Sequence, residues 1–359
     1  MRVGIITYHN AYSYGAHLQA YALQEAIRSL GHDAQIIDYR GVGFDAPCMK
    51  DIFPALRRPW RLPDAINQYR TKKGFLAFAK WQHRTSHYPS YQALMQNPPD
   101  FDAYVCGSDQ VWQPKYLADG RTIQDEYFLS FVKNGGKKIA YAPSFGTMPD
   151  DDFICNIMPY VRQFDHISVR EESMVGIVKG IVGQDVPSVC DPTILLGREG
   201  FEKMLPKTKT HVGAFFYPLT LNLPRDKEIC RSLVAWFGHL EIVSRNRPLW
   251  FVGGNVAPSP IEWMQRIRDA EFVLTNSFHG TVFSILFHKP FITLNWVKES
   301  QNIRVKHLLN RLGLMERFFD GESLRSFYVV ASAAIDWRAV DAKMSAWRRK
   351  SMKFLREAL

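Results

Sequence analysis

Short apolar runs of strand length alternate with longer amphipathic stretches along most of the chain. Residues 3–6 form the first run and stop in a polar loop, 7–15. Leu18, Ala22, Leu23, Ala26, Ile27 and Leu30 then fall on one helical face, and Gly31 is placed to end that helix. A second apolar run at 34–38 completes a β-α-β unit, the start of a parallel sheet. Residues 41–95 break the rhythm with scattered prolines and read as a helical insertion. The alternation resumes at 103–106, 138–142, 166–169 and 188–190. Each of these runs ends where polar or glycine residues begin: Gly107-Ser108-Asp109-Gln110, Pro143-Ser144-Phe145-Gly146, Arg170-Glu171-Glu172 and Asp191-Pro192-Thr193. The carboxyl edge of a parallel sheet reads this way, and ligands bind along it.

A stretch rich in Lys and Thr at 203–210 sets a boundary near residue 200. A second series follows: apolar runs at 212–217, 242–243, 249–252 and 272–275, one helix reaching about residue 237, and another opening at Ser259-Pro260 with proline in its first turn. From Trp337 onward Val340, Met344, Trp347, Met352, Leu355 and Leu359 recur at helical spacing. The expected fold class is α/β with two Rossmann-like domains. The first spans 1–200 with the insertion at 41–95, the second 201–335, and an amphipathic helix at 336–359 packs back on the first. The chemistry is expected in loops facing a cleft between the domains.

Composition narrows the function. The chain has 359 residues, 46% apolar and 22% charged, which is globular and long enough for two cores. Its five cysteines form no C-x-x-C pair and read as reduced thiols. It shows neither a signal-peptide pattern nor an apolar run long enough to span a bilayer, so a cytoplasmic location is expected. The net charge is +10, and residues 50–90 hold nine basic side chains against two acidic ones. Phe53, Trp60, Tyr69, Phe75, Phe78, Trp81 and Tyr88 are interleaved with them. A basic, aromatic surface suits an anionic partner, whether phosphorylated substrate, acidic lipid or nucleic acid. A solvated face with its aromatics turned inward fits the pattern equally well.

The segment Thr275-Asn276-Ser277-Phe278-His279-Gly280-Thr281 carries the most chemistry. A strand ends at Thr275 and a helix begins near Thr281, so His279 falls at a helix N-terminus, where amides and dipole favour an anion. Gly280 permits close approach of a ligand to the backbone. Beside a bound phosphate the imidazole can hold and donate a proton. Arg170, at the end of another run, can clamp a carboxylate or phosphate, or be capped by the neighbouring glutamate. Arg304 is either a second anion ligand or a helix-surface charge. Asp109 can orient or deprotonate a sugar hydroxyl, or cap its own turn, and Trp112 offers a stacking platform for a pyranose. Tyr14 and Gly15, in the loop that opens the first helix, are candidate sugar contacts. Asp191, before a proline, reads as a turn cap. There is no P-loop, no G-x-G-x-x-G and no zinc-protease helix, and Asp150-Asp151-Asp152 reads as a solvated turn rather than a metal site.

These residues together resemble the polysaccharide pyruvyl transferases over roughly 3–315. The resemblance rests on Gly15-Ala16-His17-Leu18-Gln19-Ala20-Tyr21-Ala22-Leu23, Gly107-Ser108-Asp109-Gln110-Val111-Trp112, Ile167-Ser168-Val169-Arg170-Glu171, Cys190-Asp191-Pro192-Thr193 and the 275–281 segment. It implies a GT-B-like pair of domains and transfer of the pyruvyl group of phosphoenolpyruvate onto a sugar, galactose being one candidate. A cyclic ketal forms and phosphate is released, with no metal and no cofactor beyond phosphoenolpyruvate as co-substrate. By the same resemblance His279 is the catalytic acid, with Asp109 assisting. Arg170 binds the donor by that resemblance, while Ser277, Phe278, Gly280 and Arg304 are read from their positions as further donor contacts, and Tyr14, Gly15 and Trp112 as acceptor contacts. Some members of the family carry arginine where this chain has Ser277, which leaves Arg304 to supply the second guanidinium. The resemblance further implies a capsular or exopolysaccharide precursor as acceptor, free or lipid-linked, with reversible association at the inner membrane surface and no nucleic-acid partner. The rival reading is a GT-B glycosyltransferase using a nucleotide sugar.

Overall fold

The computed structural model describes residues 1–40, 62–114, 122–133, 135–243, 253–296, 299, 302–321 and 323–359. The chain divides into two compact units, residues 1–46 with 79–196 and 345–359, and residues 47–78 with 197–344.

The first unit is built on a parallel sheet of β1 (Arg2–Ile6), β2 (Asp33–Ile36), β3 (Ala103–Cys106), β4 (Lys137–Ala140) and β5 (His166–Ile167), in the order β2-β1-β3-β4-β5. This is the flavodoxin-like order, whose switch point lies between β1 and β3. Ile5 pairs with Ile36, Ile6 with Cys106 and Cys106 with Ala140, so the carboxyl ends line up along one edge. Val3, Ile5, Val105 and Ile139 are fully buried, in keeping with a parallel sheet covered on both faces. Helix α1 (Tyr14–Ser29) starts at Ser13, whose Oγ accepts from the Ala16 amide, and Gly31 at φ 89° follows its end.

The next helix, α2 (Leu62–Phe78), belongs to the second unit, where its Gly74 lies so close to Ser259 that an added Cβ would sit 2.5 Å from the serine Cβ. The stretch read as an insertion into the first domain is therefore shared between the units, and its residues 41–61 lie outside the described ones. The first unit continues with α3 (Tyr91–Gln96), α4 (Asp151–Val161), α5 (Val175–Val182) and α6 (Pro192–Glu202), the last broken at Gly197, where the units divide. Asp150, read as part of a solvated turn, caps α4 by accepting from Phe153 N. The run 188–190 forms no full strand; Ser188 makes a single parallel bridge to Val169.

The second unit carries six parallel strands, β6 (Val212–Tyr217), β7 (Leu240–Ile242), β8 (Gly254–Asn255), β9 (Ala270–Thr275), β10 (Phe291–Leu294) and β11 (Phe318–Phe319). Their order is β11-β10-β9-β6-β7-β8, the Rossmann arrangement, with its switch point between β6 and β9. Helices α7 (Leu223–Phe237), α8 (Pro260–Asp269), α9 (Phe278–Leu286) and α10 (Ile303–Leu312) lie between them, and α11 (Leu324–Ser332) follows β11. A capping box between Ser259 and Glu262 fixes the start of α8. The strand expected at 249–252 lies outside the described residues. The last helix, α12 (Trp337–Ala358), opens in the second unit, where Trp337 stacks on His288 and Asp341 Oδ1 lies 2.9 Å from His288 Nε2. Its residues 345–359 belong to the first unit, where Ser351 Oγ accepts from Cys190 N and the Ala358 carbonyl accepts from Lys137 Nζ.

Candidate active site

At the switch point of the second sheet Tyr217 pairs with Thr275, and the loops beyond are stitched together by side chains. Thr275 Oγ1 donates to the Tyr217 carbonyl at 2.8 Å and accepts from Ser277 N at 3.0 Å. Asn276 Oδ1 accepts from Leu219 N, and its Nδ2 donates to the Thr220 carbonyl, both at 2.7 Å. Ser277 is the N-cap of α9, its Oγ accepting from Gly280 N. His279 therefore stands in the first turn, edge-on to Phe278 with ring centroids 5.1 Å apart. The dipole and first-turn amides of α9 face whatever occupies the space in front of it.

The loop is buried: His279 is 6% exposed, and Thr275 and Thr281 are fully buried. Gly280 serves packing, because a Cβ there would lie 2.4 Å from Thr275 Oγ1, so only glycine lets α9 start this close to β9. Arg304 lies in the first turn of α10 and is 8% exposed rather than a surface charge. Trp296 links the two helix starts. Its indole Nε1 donates to the Asn276 carbonyl, and its backbone N donates to Asn302 Oδ1, just before α10. One unit thus brings together Ser277, Phe278, His279, Gly280 and the start of the helix that bears Arg304.

In the first unit Arg170 is 1% exposed and enclosed by acids. Its Nε donates to Glu171 Oε1 at 3.0 Å and its Nη1 to Asp191 Oδ2 at 2.9 Å. Burial alone would lower its pKa, but Glu171, Asp191 and Asp109 outweigh that and hold it above the ordinary arginine value. Asp191 also caps the next turn, its Oδ1 accepting from the amide and hydroxyl of Thr193. Arg170 is thus tied into a buried charge cluster that fixes the strand ends, and the neighbouring-glutamate alternative describes its surroundings.

Asp109 is half-exposed at φ 71°, with Oδ1 accepting from Gln110 N and its carbonyl from Ser144 N. Gln19 on α1 ties this edge together: its Nε2 donates to Thr7 Oγ1 and the Tyr8 carbonyl, and its Oε1 accepts from Ser108 N. Tyr14 and Gly15 open α1 and are buried. Trp112 is not a stacking platform. It is fully buried, stacked on Phe128 with edges of Phe145 and Phe164 against it, and its Nε1 donates to the Tyr127 carbonyl.

Sequence reasoning did not single out His9 and Asp38. His9 Nδ1 lies 3.0 Å from the Thr7 carbonyl oxygen, and Nε2 lies 2.9 Å from Asp38 Oδ1. Burial lowers the His9 imidazole below its ordinary value, and Asp38 with the Thr7 carbonyl offsets that only in part. Burial alone would raise the Asp38 carboxyl, but His9, Arg40 and Arg84 hold it below the usual carboxylate range. The signal was available: His9 follows the first apolar run and Asp38 closes the second, and consecutive strands are commonly neighbours in a sheet. Among the described residues no three His, Cys, Asp or Glu side chains group to hold a metal ion, and no helix is long and apolar enough to cross a membrane.

Two parallel-sheet units of this kind define the fold of the GT-B glycosyltransferases. The chain is similar to the S. aureus MnaA structure with UDP, at 12% identity and TM-score 0.51, over 96% of this chain and 90% of that one. It is equally similar to a UDP-glucosyltransferase from Polygonum tinctorium, at 12% identity and TM-score 0.51, over 99% and 97%. These likenesses establish the fold alone. Residues 14–298 match the family of polysaccharide pyruvyl transferases; the chain belongs to that family, and it is a transferase of polysaccharide biosynthesis. Among curated proteins no sequence matches it.

Proposed function

We propose that the enzyme takes phosphoenolpyruvate as donor and builds a pyruvate ketal on two hydroxyls of one sugar in a polysaccharide precursor. The observation that supports this reading most is the placement of His279 in the first turn of α9, at the switch point of the second sheet. An anionic donor in front of that turn meets the positive end of the helix, with Ser277, Phe278, Gly280 and Arg304 around it. Protonated His279 gives its proton to the methylene carbon, leaving an oxocarbenium-like centre at C2. One sugar hydroxyl adds there and loses its proton to a base. Phosphate then departs with the C2–O bond electrons, and the second hydroxyl adds to close the ketal. Of the two hydroxyl protons, one balances the proton placed on the new methyl group and the other leaves with phosphate. Preorganised amides and cations stabilise the charge that develops. Arg170 contributes by holding the strand ends that carry Asp109 rather than by clamping the donor.

The acceptor is a sugar such as galactose in a capsular or exopolysaccharide precursor, free or lipid-linked, and the enzyme works at the inner membrane surface. The test is mass spectrometry of candidate glycosyl acceptors incubated with phosphoenolpyruvate. A pyruvate-ketal mass gain with equimolar phosphate release is expected. Acceptor glycosylated from a UDP-sugar, with phosphoenolpyruvate ignored, would replace this reading with the nucleotide-sugar one.

A further inference from the structure

Beside β2 the segment 83–88 runs parallel, held by backbone pairing. Ile36 N donates to the His83 carbonyl, Thr85 N to the Ile36 carbonyl and Tyr88 N to the Asp38 carbonyl, with bridges at Ile36–Arg84 and Tyr39–Tyr88. This pairing sets Arg84 and His87 next to Asp38 and Arg40, and it would do so whatever their charges. Asp38 receives His9 at 2.9 Å and Arg40 Nε at a long 3.4 Å, and its Oδ2 lies 3.8 Å from His87 Nδ1. Arg84 spends Nε on Gln82 Oε1, and its Nη2 is shared between Gln82 Oε1 and the His9 carbonyl. One buried carboxylate thus stands against two guanidinium groups, Arg40 and Arg84, with His9 hydrogen-bonded to it and His87 at the rim.

The donor inventory of this cluster is not used up. Among the described residues both terminal nitrogens of Arg40, Nη1 of Arg84 and Nε2 of His87 have no hydrogen-bond partner. Arg40 and His87 keep 34% and 42% of their side chains exposed, so these donors are reachable. Arg84 is more deeply placed; burial lowers its pKa, with Asp38 opposing that and Arg40 adding to it. Like charges gathered on a paired backbone, with forked donors to spare, match the tetrahedral oxygens of phosphate.

We infer that Arg40, Arg84 and His87 form an anion-binding site on the first unit, separate from the α9 loop, and that it takes a phosphate group. The source is either a phosphate ester on the acceptor or free phosphate. The inference does not depend on which donor the α9 loop uses.

The test is a titration of the full chain, carrying ¹³C-labelled histidine, with inorganic phosphate, the His87 signal being assigned from His87→Gln. A saturable shift of the His87 resonance is expected, absent with chloride at equal ionic strength. In Arg40→Gln, a partly exposed change that leaves the thermal midpoint in place, affinity should fall about tenfold, the scale of one lost charge-assisted hydrogen bond. His279 reports the α9 loop separately, so a failure there reads as a failure of the donor assignment alone. Glucose 1-phosphate binding more tightly than phosphate identifies an ester ligand, and equal affinity identifies free phosphate. A His87 signal that stays still, follows chloride equally, or shifts identically in Arg40→Gln overturns the site.

Discussion

Arg170 and Asp191 face each other at 2.9 Å, Nη1 to Oδ2, with both side chains almost entirely removed from water. Asp191 simultaneously holds the first turn of α6 through Thr193, so a single carboxylate joins one strand end to the next helix. Removing one member leaves the other as a buried, uncompensated charge. Arg170→Ala is expected to cost about 3–5 kcal/mol of stability, and Arg170→Met with Asp191→Asn should cost less than the sum of the single changes. Urea unfolding measures both. A stable Arg170→Ala protein with a raised Michaelis constant for phosphoenolpyruvate would restore the donor-clamp assignment.

His279→Gln keeps volume and removes the proton. Turnover is expected to drop about 10²- to 10⁴-fold, the range for a lost general acid. The unfolding midpoint should move little, because the cap at Ser277 and the threonine contacts around it remain. A variant that turns over at the parental rate would place the proton donor elsewhere.

Gly280→Ala tests the packing account of that glycine. The new methyl would meet Thr275 Oγ1, the atom that also fixes the Ser277 amide. A loss of about 1–3 kcal/mol is expected, as for other overpacked positions, together with reduced turnover because the His279 turn shifts. Unchanged stability would mean that α9 can slide away from β9 without cost.

His17 supplies a pH prediction. Burial, with Arg84 and His9 beside it, pulls its imidazole down to about 3. The unfolded chain takes up this proton near the ordinary histidine value, while the folded chain resists it until about 3. The folded state is therefore unpenalised above the unfolded pKa and loses stability as pH falls from there. His17→Gln should flatten the acid limb of the stability–pH profile by up to about 1.4 kcal/mol per pH unit. Identical profiles for both proteins would show that His17 is not kept neutral by its surroundings.

Much of this was legible because parallel strands buried on both faces write themselves as apolar runs that end abruptly in polar loops. The 275–281 segment is such an ending, and its histidine could be placed before any coordinates. Trp112 misled because it follows Asp109-Gln110 in a loop, and nothing local announces that Phe128, Phe145 and Phe164 close around it. Strand β11 has two residues, too short for a period to register. The Arg170 cluster depends on a partner 21 residues away, and local sequence does not reveal whether an arginine meets a ligand or an internal acid.

The last prediction concerns the membrane surface. Of the aromatic residues interleaved with the basic stretch, Phe75 and Phe78 are buried and Trp81 is exposed, while Trp60 and the cations Arg57, Arg58 and Arg61 lie outside the described residues. Helix α2 nevertheless keeps Ile66, Tyr69 and Leu76 exposed, with Arg70 and Lys73 exposed at positions that share their face. Apolar side chains beside cations suit the boundary between headgroups and acyl chains. Each cation near an anionic leaflet contributes about 1 kcal/mol, screened within a Debye length. Two on one helix give weak, reversible adsorption that salt should remove. Co-sedimentation with phosphatidylserine-containing vesicles is expected at low salt, reduced by Arg70→Glu with Lys73→Glu and absent with neutral vesicles. Equal binding to neutral and anionic vesicles, or none at low salt, would leave this face as ordinary surface and place the acceptor in solution.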